Sequence, residues 1–256
     1  KALLTRQSMV VNLSGDEATL AMASPALTKF LANFPDNEAV CKLGAWVNQI
    51  PKLPLENEGF AVPTQVNYVG KGGRVYSPGD TVSGTSMVVS RALRSGYLWD
   101  TVRVVGGAYG GFCRFSPLTG TFSYLSYRDP NLLTTIDNYD GAPKFLQSSM
   151  TLSDEALEQA IIGAVGDLDG VLPPDQKGFE AMRRLLVKES PEQRQQWRHE
   201  VLSTTKKDFV EFGDKLSEAQ ADMRVVAFAS KQSFEEANTV LDKDNKPLIV
   251  IKEPLA

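Results

Sequence analysis

Apolar residues recur at helical spacing in some stretches of the chain and at alternate positions in others. Leu20, Met22, Leu27, Phe30 and Leu31 predict a helix that stops at Pro35-Asp36-Asn37. Before it, Met9-Val10-Val11-Asn12-Leu13 reads as a strand closed by the turn residues Ser14-Gly15-Asp16. From Pro35 to Asn57 the text is mixed, carries Pro51, Pro54 and Trp46, and reads as a long connection. Phe60, Val62, Val66 and Tyr68 alternate through a predicted strand over 59–68, with Pro63 marking an edge or bulge.

Gly70-Lys71-Gly72-Gly73 reads as a turn, and a helix is predicted over 80–98 on Val82, Val89 and Leu93. Two aromatic-rich segments, 108–115 and 120–127, meet at Ser116-Pro117-Leu118-Thr119-Gly120 and predict an antiparallel hairpin. Helical spacing then dominates. It covers 130–146, then a helix opened by Ser153-Asp154-Glu155 with an apolar stripe from Leu157 to Leu168. A helix through Phe179, Met182 and Leu185 follows Pro173-Pro174, and another starts at Ser190-Pro191. Two closing strands, 223–230 and 248–252, flank a helix near 234–241.

Antiparallel strand sets with helices between them predict an α+β fold, helices layered on a mainly antiparallel sheet. The expected division is a strand-helix segment and connection over 1–58 and an α+β domain over 59–256. Composition changes this little: 42% hydrophobic and 23% charged residues are ordinary for a globular chain. A net charge of -4 argues against bulk attraction to nucleic acid or anionic lipid. No apolar run approaches the roughly 18 residues that span a membrane. Neither a signal peptide nor a transit peptide is expected at Lys1, and the absent initiator methionine suggests a processed chain or a fragment.

Several motifs fail on inspection. Gly70-Lys71-Gly72-Gly73 lacks the first glycine and the Ser or Thr of a phosphate loop. Asp167-Leu168-Asp169-Gly170 runs into Val171 where a calcium loop needs an oxygen ligand. Asn12-Leu13-Ser14 is a formal sequon within a predicted strand. The one histidine, His199, lies between Arg198 and Glu200 and reads as a solvated surface residue. It cannot by itself supply the two histidines of a peptidase zinc helix. Cys41 and Cys113 form no disulfide framework, and Cys113 reads as a small core residue.

The informative stretch is Trp99-Asp100-Thr101-Val102-Arg103-Val104-Val105-Gly106-Gly107-Ala108-Tyr109-Gly110-Gly111-Phe112, with Ser126-Tyr127-Arg128-Asp129-Pro130-Asn131 beyond it. Glycines in such a run let another backbone approach closely, and a turn between Arg103 and Tyr109 would bring both side chains to one cleft. An arginine neutralises negative charge and a phenol donates to a developing oxyanion. The same residues also suit a glycine-bulged hairpin with a stacked tyrosine and a surface arginine.

This stretch resembles the arginine and tyrosine segment in the C-terminal half of inverted zinc peptidases of the pitrilysin and insulinase group. The match is closest to the presequence protease branch. Pro63-Thr64-Gln65-Val66-Asn67-Tyr68-Val69-Gly70, Ser126 to Asn131, Ala160-Ile161-Ile162-Gly163 and Leu202 to Phe209 extend the likeness over nearly the whole chain. The resemblance implies a peptidase-homology domain, part of a two-half chamber that closes around unfolded peptides. Zinc would be bound by the N-terminal half, outside this chain. Arg103 and Tyr109 would orient the peptide and stabilise the oxyanion, with Gly106, Gly107, Gly110 and Gly111 along the peptide. It further implies a monomeric full-length enzyme of the mitochondrial matrix or chloroplast stroma, acting on targeting presequences. Val104-Val105, Cys113 and Arg114 depart from the family pattern and bear on subsite preference. A catalytically silent subunit of the same superfamily is the alternative, and an unrelated α+β binding module a third. Alone, the chain is expected to fold and to lack activity.

Overall fold

The computed structural model describes residues 5–36, 56–148 and 152–252. The chain forms two compact units, 1–54 with 170–191, and 55–169 with 192–256.

In the first unit, α1 (Glu17–Leu31) starts where the Asp16 carboxylate accepts the Thr19 backbone N–H at 2.7 Å. Its stop before Pro35 agrees with the sequence pattern. Helix α5 (Pro174–Val187) opens on a proline at its first position and ends at Lys188, whose φ of +58° turns the chain. Residues 9–13, expected as a strand, are irregular and their Val10, Val11 and Leu13 are exposed. An alternating pattern makes a strand only beside a partner, and no described strand pairs there. Most of the predicted connection over 35–57 lies outside the described residues.

The second unit is built on a six-stranded sheet in the order β3-β4-β2-β5-β1-β6. Its strands are β1 (Asn57–Ala61), β2 (Tyr68–Arg74), β3 (Gly110–Ser116), β4 (Thr121–Tyr127), β5 (Arg224–Ala229) and β6 (Ile249–Lys252). The pairs β3–β4, β4–β2 and β2–β5 are antiparallel, and β1 lies parallel to both β5 and β6. One sheet face carries Val69, Cys113, Phe122, Tyr124, Val225 and Ala227, all buried. They meet α2 (Thr85–Ser95), α3 (Leu133–Gln147), α4 (Asp154–Leu168), α7 (Lys206–Ala219) and α8 (Lys231–Lys243) in one apolar core. This is the α+β class expected, with helices on a mainly antiparallel sheet.

Three local expectations need correction. The strand over 59–68 is two strands, broken around Pro63, with β5 inserted between them. Gly70 to Gly73 is not a turn but the centre of β2, an inner strand. The sheet is tight there: a Cβ on Gly72 would sit 2.9 Å from the Phe122 carbonyl. Lys71, between these glycines, points under the sheet and pairs with Asp140 of α3. Helix α2 begins only at Thr85, because Glu200 of α6 (Pro191–Leu202) accepts the Gly84 backbone N–H at 2.6 Å and fixes the entry. Helix α7 has no counterpart in the sequence pattern; the reciprocal Thr205 and Asp208 cap starts it.

Candidate functional site

The stretch around Arg103 is helical, and of a rare kind. After Gly96 the chain resumes at Tyr97, and Trp99–Val105 forms a π-helix. Its wide turn is visible in the Gly106 N–H, which donates to the Thr101 carbonyl at 3.0 Å, five residues back. Leu98 and Val102, four residues apart, are fully buried and hold the segment to the core. Thr101 Oγ1 donates to the Tyr97 carbonyl at 2.7 Å. The Tyr97 hydroxyl in turn donates to the Asn138 carbonyl at 2.8 Å, tying the segment to α3. Burial, with the Asp140 carboxylate nearby, raises the Tyr97 phenol above its ordinary pKa.

The opposite face of this π-helix is exposed and carries Trp99, Arg103, Val104 and Val105. The Arg103 guanidinium lies over the Trp99 ring, 4.0 Å from its centroid. A tight turn follows. Gly107, at φ +78°, occupies a conformation that side chains disfavour, and its N–H donates to the Arg103 carbonyl at 3.0 Å. The Ala108 N–H donates to the Val102 carbonyl at 3.1 Å, so the turn folds back on the π-helix before Tyr109.

Tyr109 stands just before β3 and is 68% exposed. Its N–H donates to the Arg128 carbonyl at 3.3 Å, and its ring packs edge-on to Tyr127 at 5.9 Å. Tyr127 meets Tyr68 at 5.4 Å, and farther across the sheet Phe228 stacks on Phe60 at 5.2 Å. Strand register places Tyr68 opposite Phe228 and Phe228 opposite Phe60. Tyr109 therefore stands at one end of an aromatic row on the sheet face opposite the one that carries Val69, Phe122 and Tyr124. Phe112, Leu125 and Val226 are exposed beside it.

The loop after β4 is the second support. Asp129 is fully buried; its carboxylate accepts the Thr135 hydroxyl at 2.7 Å and the Asn131 N–H at 2.9 Å. Its backbone pairs both ways with Asn67, at 2.7 and 2.8 Å. The Asn131 side chain donates to the Gly106 carbonyl at 2.6 Å. Arg128 is held at φ +48°, with its guanidinium 5.6 Å from the Tyr127 ring.

Arg103 and Tyr109 thus stand on the two sides of one fixed turn, both exposed. The glycines divide by role. Gly106 ends the π-helix, Gly107 makes the turn, and Gly110 and Gly111 begin β3. The Phe112 ring lies over Gly110. A Cβ on Gly111 would meet the Leu98 carbonyl and Val102 Cβ, each at 2.9 Å. Trp99, Arg128 and the aromatic row carry no local sequence signal, because their partners are set by the π-turn and by strand register.

His199 is exposed on α6, and Cys113 is buried, donating its thiol to the Ser90 carbonyl at 3.2 Å. Burial pushes that thiol up to about 12, far from reactive. Asp167 pairs with Arg91 and Arg94. Among the described residues no three His, Cys, Asp or Glu side chains gather as a metal site requires, so this donor set does not fit zinc.

Residues 57–231 match the family model described as the PreP C-terminal domain. The chain is 43% identical to presequence protease 1, chloroplastic/mitochondrial, of Arabidopsis thaliana, over 93% of its own length and 22% of that protein's. It therefore spans about a fifth of that relative. Among solved structures it is similar to a protease from Helicobacter pylori, at TM-score 0.57 and 13% identity, over 84% of this chain and 53% of that one. It is also similar to pitrilysin, at TM-score 0.56 and 10% identity, over 93% and 25%. At such identities these two likenesses speak to the fold.

Proposed function

The chain belongs to the PreP C-terminal domain family, and from that membership we propose that it forms the C-terminal part of a zinc metalloendopeptidase degrading targeting presequences and other short unfolded peptides. The observation that carries this reading is the exposed pair Arg103 and Tyr109, set on either side of an internally braced turn within the matched residues.

In this reading the metal and its ligands lie in an N-terminal half outside this chain, and the metal supplies an activated water. The work of this chain is binding and orientation. The Tyr109 phenol is exposed and free to donate to the oxyanion that develops at the scissile carbonyl. The Arg103 guanidinium keeps its edge donors for peptide carbonyls and negative charge. The backbone of Gly106, Gly107, Gly110 and Gly111 lies along the path of the peptide, and the aromatic row takes its apolar side chains. Residues 59–256 form the peptidase-homology domain and 1–58 belong to the same half. The Arabidopsis relative is named for chloroplast and mitochondrion, and we assign this protein to those compartments. Its partners are unfolded peptides and its own N-terminal half, in a monomeric enzyme.

Peptide cleavage by the full-length protein, comparing wild type with Tyr109→Phe and Arg103→Ala, tests the reading. The expected loss of turnover is on the order of 10²–10³ for the lost donor, with fold and bound metal unchanged. Unchanged activity in both variants would remove the two residues from the site. An inactive wild type would instead identify a silent subunit of the same superfamily.

A further inference from the structure

We infer that Trp99 is a positioning residue for Arg103, holding the guanidinium in place by a cation–π contact; the inference rests on the role proposed above for Arg103. Arg103 is exposed, and no carboxylate pairs with it among the described residues. A long side chain in that situation ordinarily samples many rotamers. Here the guanidinium carbon lies over the indole, 4.0 Å from its centroid.

The manner of restraint matters. An ion pair would fix Arg103 but occupy its N–H donors. A cation–π contact consumes no hydrogen-bond acceptor and leaves N–H donors of the guanidinium for a peptide. Trp99 itself is 44% exposed, so its indole is accessible beside the guanidinium. Both residues lie on the π-helix, four positions apart, and π-turns are short insertions found frequently at functional sites. Leu98 and Val102, one residue before each, are buried completely and lock the backbone beneath the pair. The contact is therefore built on a rigid base.

Kinetics of the full-length protein on an unfolded peptide, with Trp99→Leu, Trp99→Phe, Arg103→Ala and the double variant Trp99→Leu/Arg103→Ala, test the inference. Trp99→Leu is expected to lower kcat/KM roughly two- to fivefold, the worth of an exposed cation–π contact. Trp99→Phe, which keeps an aromatic face, should recover most of that loss with an unaltered unfolding midpoint. In the Arg103→Ala background Trp99→Leu should cost nothing further, since its effect runs through the guanidinium. Additive losses, or full activity in Trp99→Leu beside a crippled Arg103→Ala, would overturn the positioning role. A harmless Arg103→Ala would overturn the reading of the site itself. If Trp99→Leu fails to fold, Trp99→Phe and the cycle built on it decide by the same criteria.

Discussion

Asn131 donates its side-chain amide to the carbonyl of Gly106 at 2.6 Å, joining the loop after β4 to the turn that separates Arg103 from Tyr109. The Asn131 backbone is fixed in turn by the buried Asp129 carboxylate. The turn is thus clamped from a loop that lies 25 residues away in sequence.

Replacing Asn131 by Ala removes this clamp and leaves the Gly106 carbonyl without its side-chain donor. The expected cost in stability is about 1 kcal/mol, the ordinary net worth of such a bond. Turnover of the full-length protein should fall further than that loss explains, because the turn orients both proposed site residues. Asn131→Asp should be worse, since it sets a carboxylate oxygen against a carbonyl. Urea unfolding beside peptide cleavage checks both. Turnover that simply follows stability would confine Asn131 to the scaffold.

Arg128 is held at φ +48°, where residues with a Cβ are strained by about 1–2 kcal/mol. Arg128→Gly should leave stability unchanged or slightly raised, while Arg128→Val should lower it by about 1–3 kcal/mol. Both variants remove the guanidinium. The difference between them therefore reports chiefly the backbone conformation, and denaturation midpoints measure it. Equal midpoints would show that the loop relaxes out of the left-handed region.

The same reasoning applies at Gly111. A methyl group there would press on the Leu98 carbonyl and on Val102, both part of the buried side of the π-helix. Gly111→Ala is expected to destabilise by about 1–3 kcal/mol, the usual cost of overpacking. Because the displaced residues sit under Trp99 and Arg103, cleavage should decline as well. Gly79, with nothing near its missing Cβ but a φ of +97°, serves as a control whose cost is conformational only.

Much of this architecture was legible in the sequence. The hairpin of β3 and β4, the capped start of α4 and the proline start of α5 follow from alternation, Ser153 and Pro174. What escaped depends on neighbours remote in sequence. Gly70 to Gly73 look like a turn until Phe122 and Met223 are seen to crowd them. Trp99 to Val105 are rich in β-branched residues and look extended, yet burial of Leu98 and Val102 four residues apart makes them helical. Arg103 and Tyr109 stood out among their glycines, and the family likeness of the segment favoured a site over a bulged hairpin. Trp99, Arg128 and Asn131 lay within the same informative stretches but had no role assigned, because a contact across a π-turn and a tether from a distant loop leave no local period.

Three weak acids lie together beneath the sheet, and their burial predicts a loss of stability at alkaline pH. Cys113 is opposite Tyr124 in the strand register, and Tyr124 stacks on Tyr139 with ring centroids 5.0 Å apart. Burial pushes the Cys113 thiol from an ordinary 9.0 up to about 12, and raises both phenols above their ordinary 10.0. Each group keeps its proton to higher pH folded than unfolded. The stability so contributed is whole below the unfolded pKa and is lost as pH rises toward the folded one. Unfolding free energy should therefore be insensitive to these groups below about pH 8 and decline from about pH 9 upward. Cys113→Ala should soften the first part of that decline. At about pH 8 the native thiol should resist iodoacetamide, with modification of Cys113 appearing only as the chain unfolds. Urea titrations across the alkaline range and mapping of the labelled peptide measure both effects. A level stability profile to about pH 11, or prompt labelling of Cys113 in the folded protein, would show that water reaches this cluster and that its burial does not control its ionisation.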